Sequence, residues 1–236
     1  MPEKIKAILS WSSGKDSAYS LFTILNENRF EVVTLLTTVT ESFRRVSMHG
    51  VREELLEAQA ESLGLPVHKI KIPSPCPNEI YEAKMAEYLK LQKAEGIQHV
   101  IFGDLFLEDL RKYREQRLAE IGMSGIFPLW MKNTKQLAEK MMEDRFEAIL
   151  TCVDLKKLPK KFAGRKFDRT FLTDLPTGID PCGENGEFHS FVYGGPIFKK
   201  RIPVKVGKTV ERDGFAFADV LKSAAPPSPV LHAPLD

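Results

Sequence analysis

Cysteine is scarce in this sequence: Cys76, Cys152 and Cys182 are the only three among 236 residues. They are odd in number and far apart. That excludes a disulfide framework and any paired zinc-ligand spacing, and points to a reducing, cytoplasmic setting. Long hydrophobic runs are missing too. No apolar stretch approaches the roughly 20 residues that span a bilayer, so no membrane partner is expected. The opening, Met1-Pro2-Glu3-Lys4-Ile5-Lys6, lacks the apolar region of a signal peptide. Neither sign of charge dominates, with 34 Lys and Arg against 32 Asp and Glu and a formal net charge of +2. This excludes a strongly basic chain coated in nucleic acid, while leaving room for a local basic patch. No internal repeat is present. What remains is an ordinary mixture, 28% charged and 43% hydrophobic, long enough to bury a real core.

The chain then alternates strand and helix signals. Ile5–Trp11 is a short apolar run. Ala18, Leu21, Phe22 and Leu25 share one face of a helix over Asp16–Asn26. Val32–Val39 is β-branched and reads as a buried strand. A helix over Val51–Leu63 stops at Gly64, with Pro66 just beyond. Strands follow at Val67–Ile72, His99–Gly103 and Glu147–Val153, separated by helices at Glu79–Ala94, Leu107–Ile121 and Thr134–Asp144. Strands parted by helices mean βαβ units and a parallel sheet, here of five strands. Such sheets bind ligands at the carboxyl ends of their strands. After Asp154 the texture changes to Gly- and Pro-rich sequence, with short strands at Arg201–Val206 and Phe215–Phe217 around a turn at Asp213-Gly214. The expected organisation is α/β: a main domain over 1–155 (its boundary as early as 131), a smaller α+β domain over 156–223, and a Pro-rich disordered tail over 224–236.

The sharpest motif is Ser12-Ser13-Gly14-Lys15-Asp16-Ser17, between the first strand and the first helix. A short turn before a helix aims backbone N–H groups and the positive helix end at one spot, which suits phosphate. Gly14 allows close approach, Ser12 and Ser17 supply hydroxyls, Lys15 a point charge, and Asp16 a carboxylate for a helix cap or a magnesium ion. The Gly-x-x-x-x-Gly-Lys-Ser/Thr spacing is absent. The loop resembles the PP-loop, Ser-Gly-Gly-x-Asp-Ser, of the N-type ATP pyrophosphatases, with Ser13 where that family carries Gly.

Two further stretches extend the likeness. One is Phe102-Gly103-Asp104 and the charged run Leu107–Glu115. The other is Gly183-Glu184-Asn185-Gly186-Glu187-Phe188, followed by His189. With the loop, these resemble the diphthine–ammonia ligase family and its bacterial relatives of adenine nucleotide α-hydrolase type. The resemblance covers Ile5 to Lys222. It implies a Rossmann-like (HUP-type) nucleotide domain closed over by a smaller C-terminal domain. The implied reaction consumes ATP, with Mg2+, and joins ammonia to a substrate carboxylate, protein-borne or small, through an acyl-adenylate.

On that reading Ser10, Ser12, Ser13, Gly14, Lys15 and Ser17 hold phosphate, and Asp16 is the magnesium candidate. Thr37, Thr38, Met48, His49 and Gly103 line the nucleotide. Asp104, Glu184, Glu187 and His189 are the catalytic candidates, since a carboxylate can hold ammonium or take its proton. Glu108, Arg114, Glu115, Gly183, Asn185 and Gly186 are expected on the substrate side. Plainer roles compete. Asp104 can cap a helix, and Glu108 and Arg114 can lie on a solvated face. The basic run Lys156–Arg169 reads first as a solvated loop, and nucleic acid is not the expected partner. Two other functions stay open: a tRNA-modifying sulfur transferase using Cys152 or Cys182, and a non-catalytic nucleotide sensor. A homodimer is expected only from the frequency of dimers in general.

Overall fold

A computed structural model of the chain describes residues 3–224. The proline-rich stretch after Ala224 lies outside the described residues. The first half alternates as expected: β1 (Ile5–Ser10), α1 (Lys15–Glu27), β2 (Phe30–Thr40), β3 (Arg45–Val46), α2 (Glu53–Leu63), β4 (Val67–Ile72), α3 (Asn78–Ala94), β5 (His99–Ile101), α4 (Glu108–Glu120) and β6 (Ser124–Ile126). Helix α2 ends where Gly64 turns left-handed at φ 71° and donates its N–H to the Ala60 and Glu61 carbonyls.

The parallel strands run in the order β4-β2-β1-β5-β6, with β3 antiparallel against the far end of β2. This is a Rossmann-like arrangement. The order reverses at β1, so the carboxyl ends of β1 and β5 form the crevice where ligands settle.

The remainder contains α5 (Thr134–Glu143), β7 (Glu147–Asp154), α6 (Arg169–Asp174), β8 (Phe188–Gly194), β9 (Val204–Arg212) and β10 (Phe215–Lys222). Its four strands form a separate antiparallel sheet, β8-β7-β10-β9. Asp213 (φ 53°) and Gly214 (φ 82°) make the expected tight turn between β9 and β10. One expectation is corrected here. The fifth parallel strand is Ser124–Ile126, and the run at Glu147–Val153 belongs to the second sheet, where it pairs with β8 and β10. An apolar run records burial on both faces, not which sheet provides it.

Alternation along β1 shows how the layers meet. Ala7, Leu9 and Trp11 enter one apolar cluster with Leu35, Leu55, Leu150, Phe188, Phe191 and Val220, so this cluster runs through both sheets. Ile8 faces the other way, into a smaller cluster with Leu36, Ile70, Val100, Phe102 and Leu118. The second sheet is thereby brought against the loop that follows β1. Among the described residues no helix is long and apolar enough to cross a membrane.

Candidate active site

The loop after β1 is held from several sides. Trp11 donates its indole N–H to Gln59 Oε1 at 2.9 Å, and Thr37 donates its hydroxyl to the Trp11 carbonyl at 2.8 Å. Gln59, fully buried on α2, donates in turn to the Ser13 and Val192 carbonyls. The Val192 N–H also reaches the Ser13 carbonyl, at 3.0 Å, so the loop is stitched to β8. Ser13 itself is left-handed, with φ 69°, where a residue bearing Cβ costs roughly 1–2 kcal/mol more than glycine. Its hydroxyl is buried with no partner among the described residues. Ser13 therefore holds a torsion that glycine adopts without this cost.

Ser12 Oγ lies 3.2 Å from Ser17 Oγ and accepts the Gly14 N–H, while the Ser17 hydroxyl donates to the Gly14 carbonyl at 3.0 Å. Gly14 is the N-cap of α1 without a side-chain cap, which leaves orphan donors in the first turn. A Cβ on Gly14 would stand 2.7 Å from the His49 ring. His49 packs that closely because its Nδ1 sits 3.1 Å from the Ser190 carbonyl, which only a protonated Nδ1 can satisfy. His189 lies beside it, ring centroids 4.6 Å apart. Burial pushes His49 down to about 4, with Lys15 adding to the effect, and holds His189 well below the usual imidazole range, so both imidazoles are neutral near pH 7. Met48 adopts φ 62° at the exposed tip of that turn, and the Thr38 carbonyl accepts the Ser47 N–H. Ser10, at the end of β1, pairs with Leu36 and stays half-buried.

Lys15 is buried. Its ammonium meets both Asp16 oxygens, at 2.8 and 3.0 Å, and the Cys182 carbonyl. Burial lowers its affinity for a proton, but the surrounding Asp16, Cys182 and Glu184 more than offset this and leave it raised.

The second strand end supplies the opposing charges. A Cβ on Gly103 would stand 2.9 Å from the Asp16 backbone, so only glycine lets β5 pass this close to α1. Asp104 then pairs with Arg114 at 2.7 Å. Burial raises the Asp104 carboxyl and Arg114 opposes it. Glu184 Oε1 accepts the Leu105 N–H at 2.7 Å and the Phe106 N–H at 3.4 Å, which draws the late motif onto the same turn. Burial, then the nearby Asp16 and Asp104, push Glu184 up to about 7. Glu187 is 2% exposed. Its Oε1 accepts from the Asp180 N–H and from Asn185 Nδ2, and its Oε2 has no partner among the described residues. Gly183, at φ 73°, lies against Phe188, and Gly186 turns at φ 79°.

The structure thus gathers the loop, His49, His189, Asp104, Arg114, Glu184 and Glu187 around one junction. It does not bring Glu108 or Glu115 there. Glu108 pairs with Lys112, and Glu115 with Arg111, along the surface of α4. The basic run is also partly spent, on Lys160–Glu211, Arg165–Asp174 and Arg169–Glu143 pairs. Gln59, Ser190, Asp180 and the Cys182 carbonyl were not anticipated. Gln59 alone left a signal, a polar residue one turn after Leu55 on the apolar face of α2. Among the described residues no cluster of His, Cys, Asp and Glu could hold a metal ion unaided.

The profile of the diphthamide synthase N-terminal domain matches residues 5–125, and that of the C-terminal domain matches residues 133–223. The chain is similar to the diphthine–ammonia ligase of Rattus norvegicus, 26% identical over 233 residues, covering 89% of this chain and 86% of the relative. The Homo sapiens diphthine–ammonia ligase is 25% identical over the same shares. That of Schizosaccharomyces pombe is 25% identical over 219 residues, but these make up only 36% of the yeast protein. With both profiles spanning the loop, the Asp104 turn and the late motif, the chain belongs to the diphthamide synthase family.

Proposed function

We propose that the chain is an ATP-dependent ligase that adenylates a substrate carboxylate, releases pyrophosphate and transfers ammonia to the acyl-adenylate. The observation that carries this reading is the meeting of a phosphate-type loop with Asp104 and Glu184 at adjacent strand ends. A carboxylate is a poor electrophile. Its oxygen attacks the α-phosphorus of ATP, the bond to the bridging oxygen breaks, and pyrophosphate leaves. Ammonia then attacks the acyl carbon and AMP departs.

The first-turn N–H groups of α1, with Ser12 and Ser17, hold the phosphates. Thr38, Met48 and His49 flank the nucleoside. Glu184, held at about 7, takes the proton from ammonium, because only neutral ammonia is a nucleophile. The Asp104–Arg114 pair orients the acceptor, and Glu187 fixes the loop that carries Glu184. Magnesium bound with ATP would supply neutralising charge on the pyrophosphate. The partly exposed Asp16 carboxylate fits a metal that takes few protein ligands and completes its shell with phosphate and water. The relatives' names make diphthine the first acceptor to test.

The test is incubation with ATP, ammonium and candidate carboxylates. AMP and pyrophosphate are expected; ADP and phosphate as sole products would overturn the reading. A sulfur transferase needs a reactive thiolate, and burial does the opposite here, pushing Cys152 to about 12 and raising Cys182 as well. AMP formation would also dispose of the sensor reading.

A further inference from the structure

We infer that Lys15 is a positioning residue that ties the loop to the late motif and sets Asp16, and is not a phosphate ligand. The role it positions rests on the ligase reading above; its contacts do not.

An ammonium carries three protons. Those of Lys15 face three acceptors: Asp16 Oδ1 at 3.0 Å, Asp16 Oδ2 at 2.8 Å and the Cys182 carbonyl. Its remaining flanks are covered by rings, Phe188 at 5.3 Å and Phe167 at 5.5 Å, at distances where a cation gains from the aromatic face. The side chain is 3% exposed. The backbone is engaged as well, since the Lys15 N–H donates to Ser190 Oγ at 3.1 Å. A phosphate oxygen could reach this ammonium only by displacing one of these partners from a site closed to water.

The engaged partners say what the lysine does. Cys182 begins the Gly183–Glu187 turn, whose Glu184 bonds the turn beside Asp104. Asp16 lies in the first turn of α1, its backbone against Gly103. Lys15 therefore ties the loop directly to the late motif, and through Glu184 that motif in turn holds the β5 turn. Phosphate recognition is left to the first-turn N–H groups after Lys15 and to the Ser12 and Ser17 hydroxyls, which bond only within the loop and can turn to a ligand without parting it from the late motif.

Calorimetry with ATP and, separately, with pyrophosphate separates the two roles. Lys15→Met is expected to bind both within about twofold of wild type, while kcat falls about 100-fold, the effect of a misplaced group rather than a lost ligand. A rise of more than about tenfold in both dissociation constants would mark a lost charge-assisted contact and overturn the inference. The unaltered chain provides a second measurement should the variant not fold. Treated with an amine-acylating reagent and mapped by mass spectrometry, Lys15 should stay unmodified with or without ATP. Acylation in the absence of ATP and protection in its presence would make it a phosphate ligand. If the wild type binds ATP but forms no AMP, the ligase reading falls while calorimetry and acylation still decide whether Lys15 is a phosphate ligand.

Discussion

Helix α4 and the Asp180–Glu187 segment both carry dense charge, and they use it in opposite ways. On α4, Glu108–Lys112, Arg111–Glu115 and Arg117–Glu120 are pairs one turn apart, spread over an exposed face. Such pairs are worth little, because water solvates both partners well already. In the late segment Glu187 is buried and Asp180 and Glu184 are half-buried, and the carboxylates meet backbone donors instead: Asp180 accepts the Glu184 N–H, and Glu187 the Asp180 N–H. Arg114 is the exception on α4, leaving its helix surface to reach Asp104. At Glu184 it is withdrawal from water, and not charge density, that moves the carboxyl's titration.

Glu184→Gln should strain this contrast most. Its amide oxygen can still accept the Leu105 N–H, yet turnover should fall at least about 100-fold, the scale of a lost general base. Wild-type activity should climb with pH through about 7, and the variant should lack that limb. Stability should move the other way. The folded carboxyl titrates at about 7 against an ordinary 4.5, so the native state binds the extra proton between those values. Stability is full in acid and is lost as pH rises through that window. Thermal melts should therefore show Glu184→Gln matching wild type below pH 4.5 and exceeding it at pH 8; equal melts at pH 8 would remove the burial argument.

Asp104→Asn comes next. It leaves Arg114 without its counter-charge in a largely buried pair, and should cost about 2–3 kcal/mol in urea denaturation. Asp219→Asn should fall between the two regions. Asp219 holds Arg45 at 2.9 Å and Arg52 at 2.7 Å, and Arg45 also holds the Gly50 carbonyl beside His49. These groups are partly exposed, so about 1 kcal/mol is expected, with a several-fold rise in KM for ATP as the His49 turn loosens. Glu108→Gln and Glu115→Gln should change turnover by less than about twofold. A larger loss in a steady-state assay would show that the face of α4 touches substrate, and the contrast would fail.

Much of the fold was legible because period-2 and period-3.6 patterns record burial directly. Val67–Ile72 was found to the residue, and the other βαβ elements to within a few. Ser124–Ile126 was missed, being three residues long with a central glycine. Phe188–Gly194 was hidden by the glycines around it. At the site, motif residues were visible as motifs, but their partners were not. Nothing local announces that Ser190 meets Lys15 across 175 positions, or that Gln59 bridges Trp11 and Val192. Such pairings are set by how one sheet lies on another. The difference between Glu184 and Glu115 is likewise one of burial, which adjacent residues do not encode.

The place of β7 in the second sheet also bears on how the chain is made. A growing chain extends from its N-terminus, and the parallel sheet is complete once β6 has emerged. β7, whose Ala148–Val153 is buried throughout, emerges before either of its neighbours. It must wait for β8 and then for β10, the last strand among the described residues. Until then an apolar edge stands open, the kind of surface that recruits chaperones or misdirected strands. Interruption of synthesis between β7 and β10 should therefore yield insoluble product.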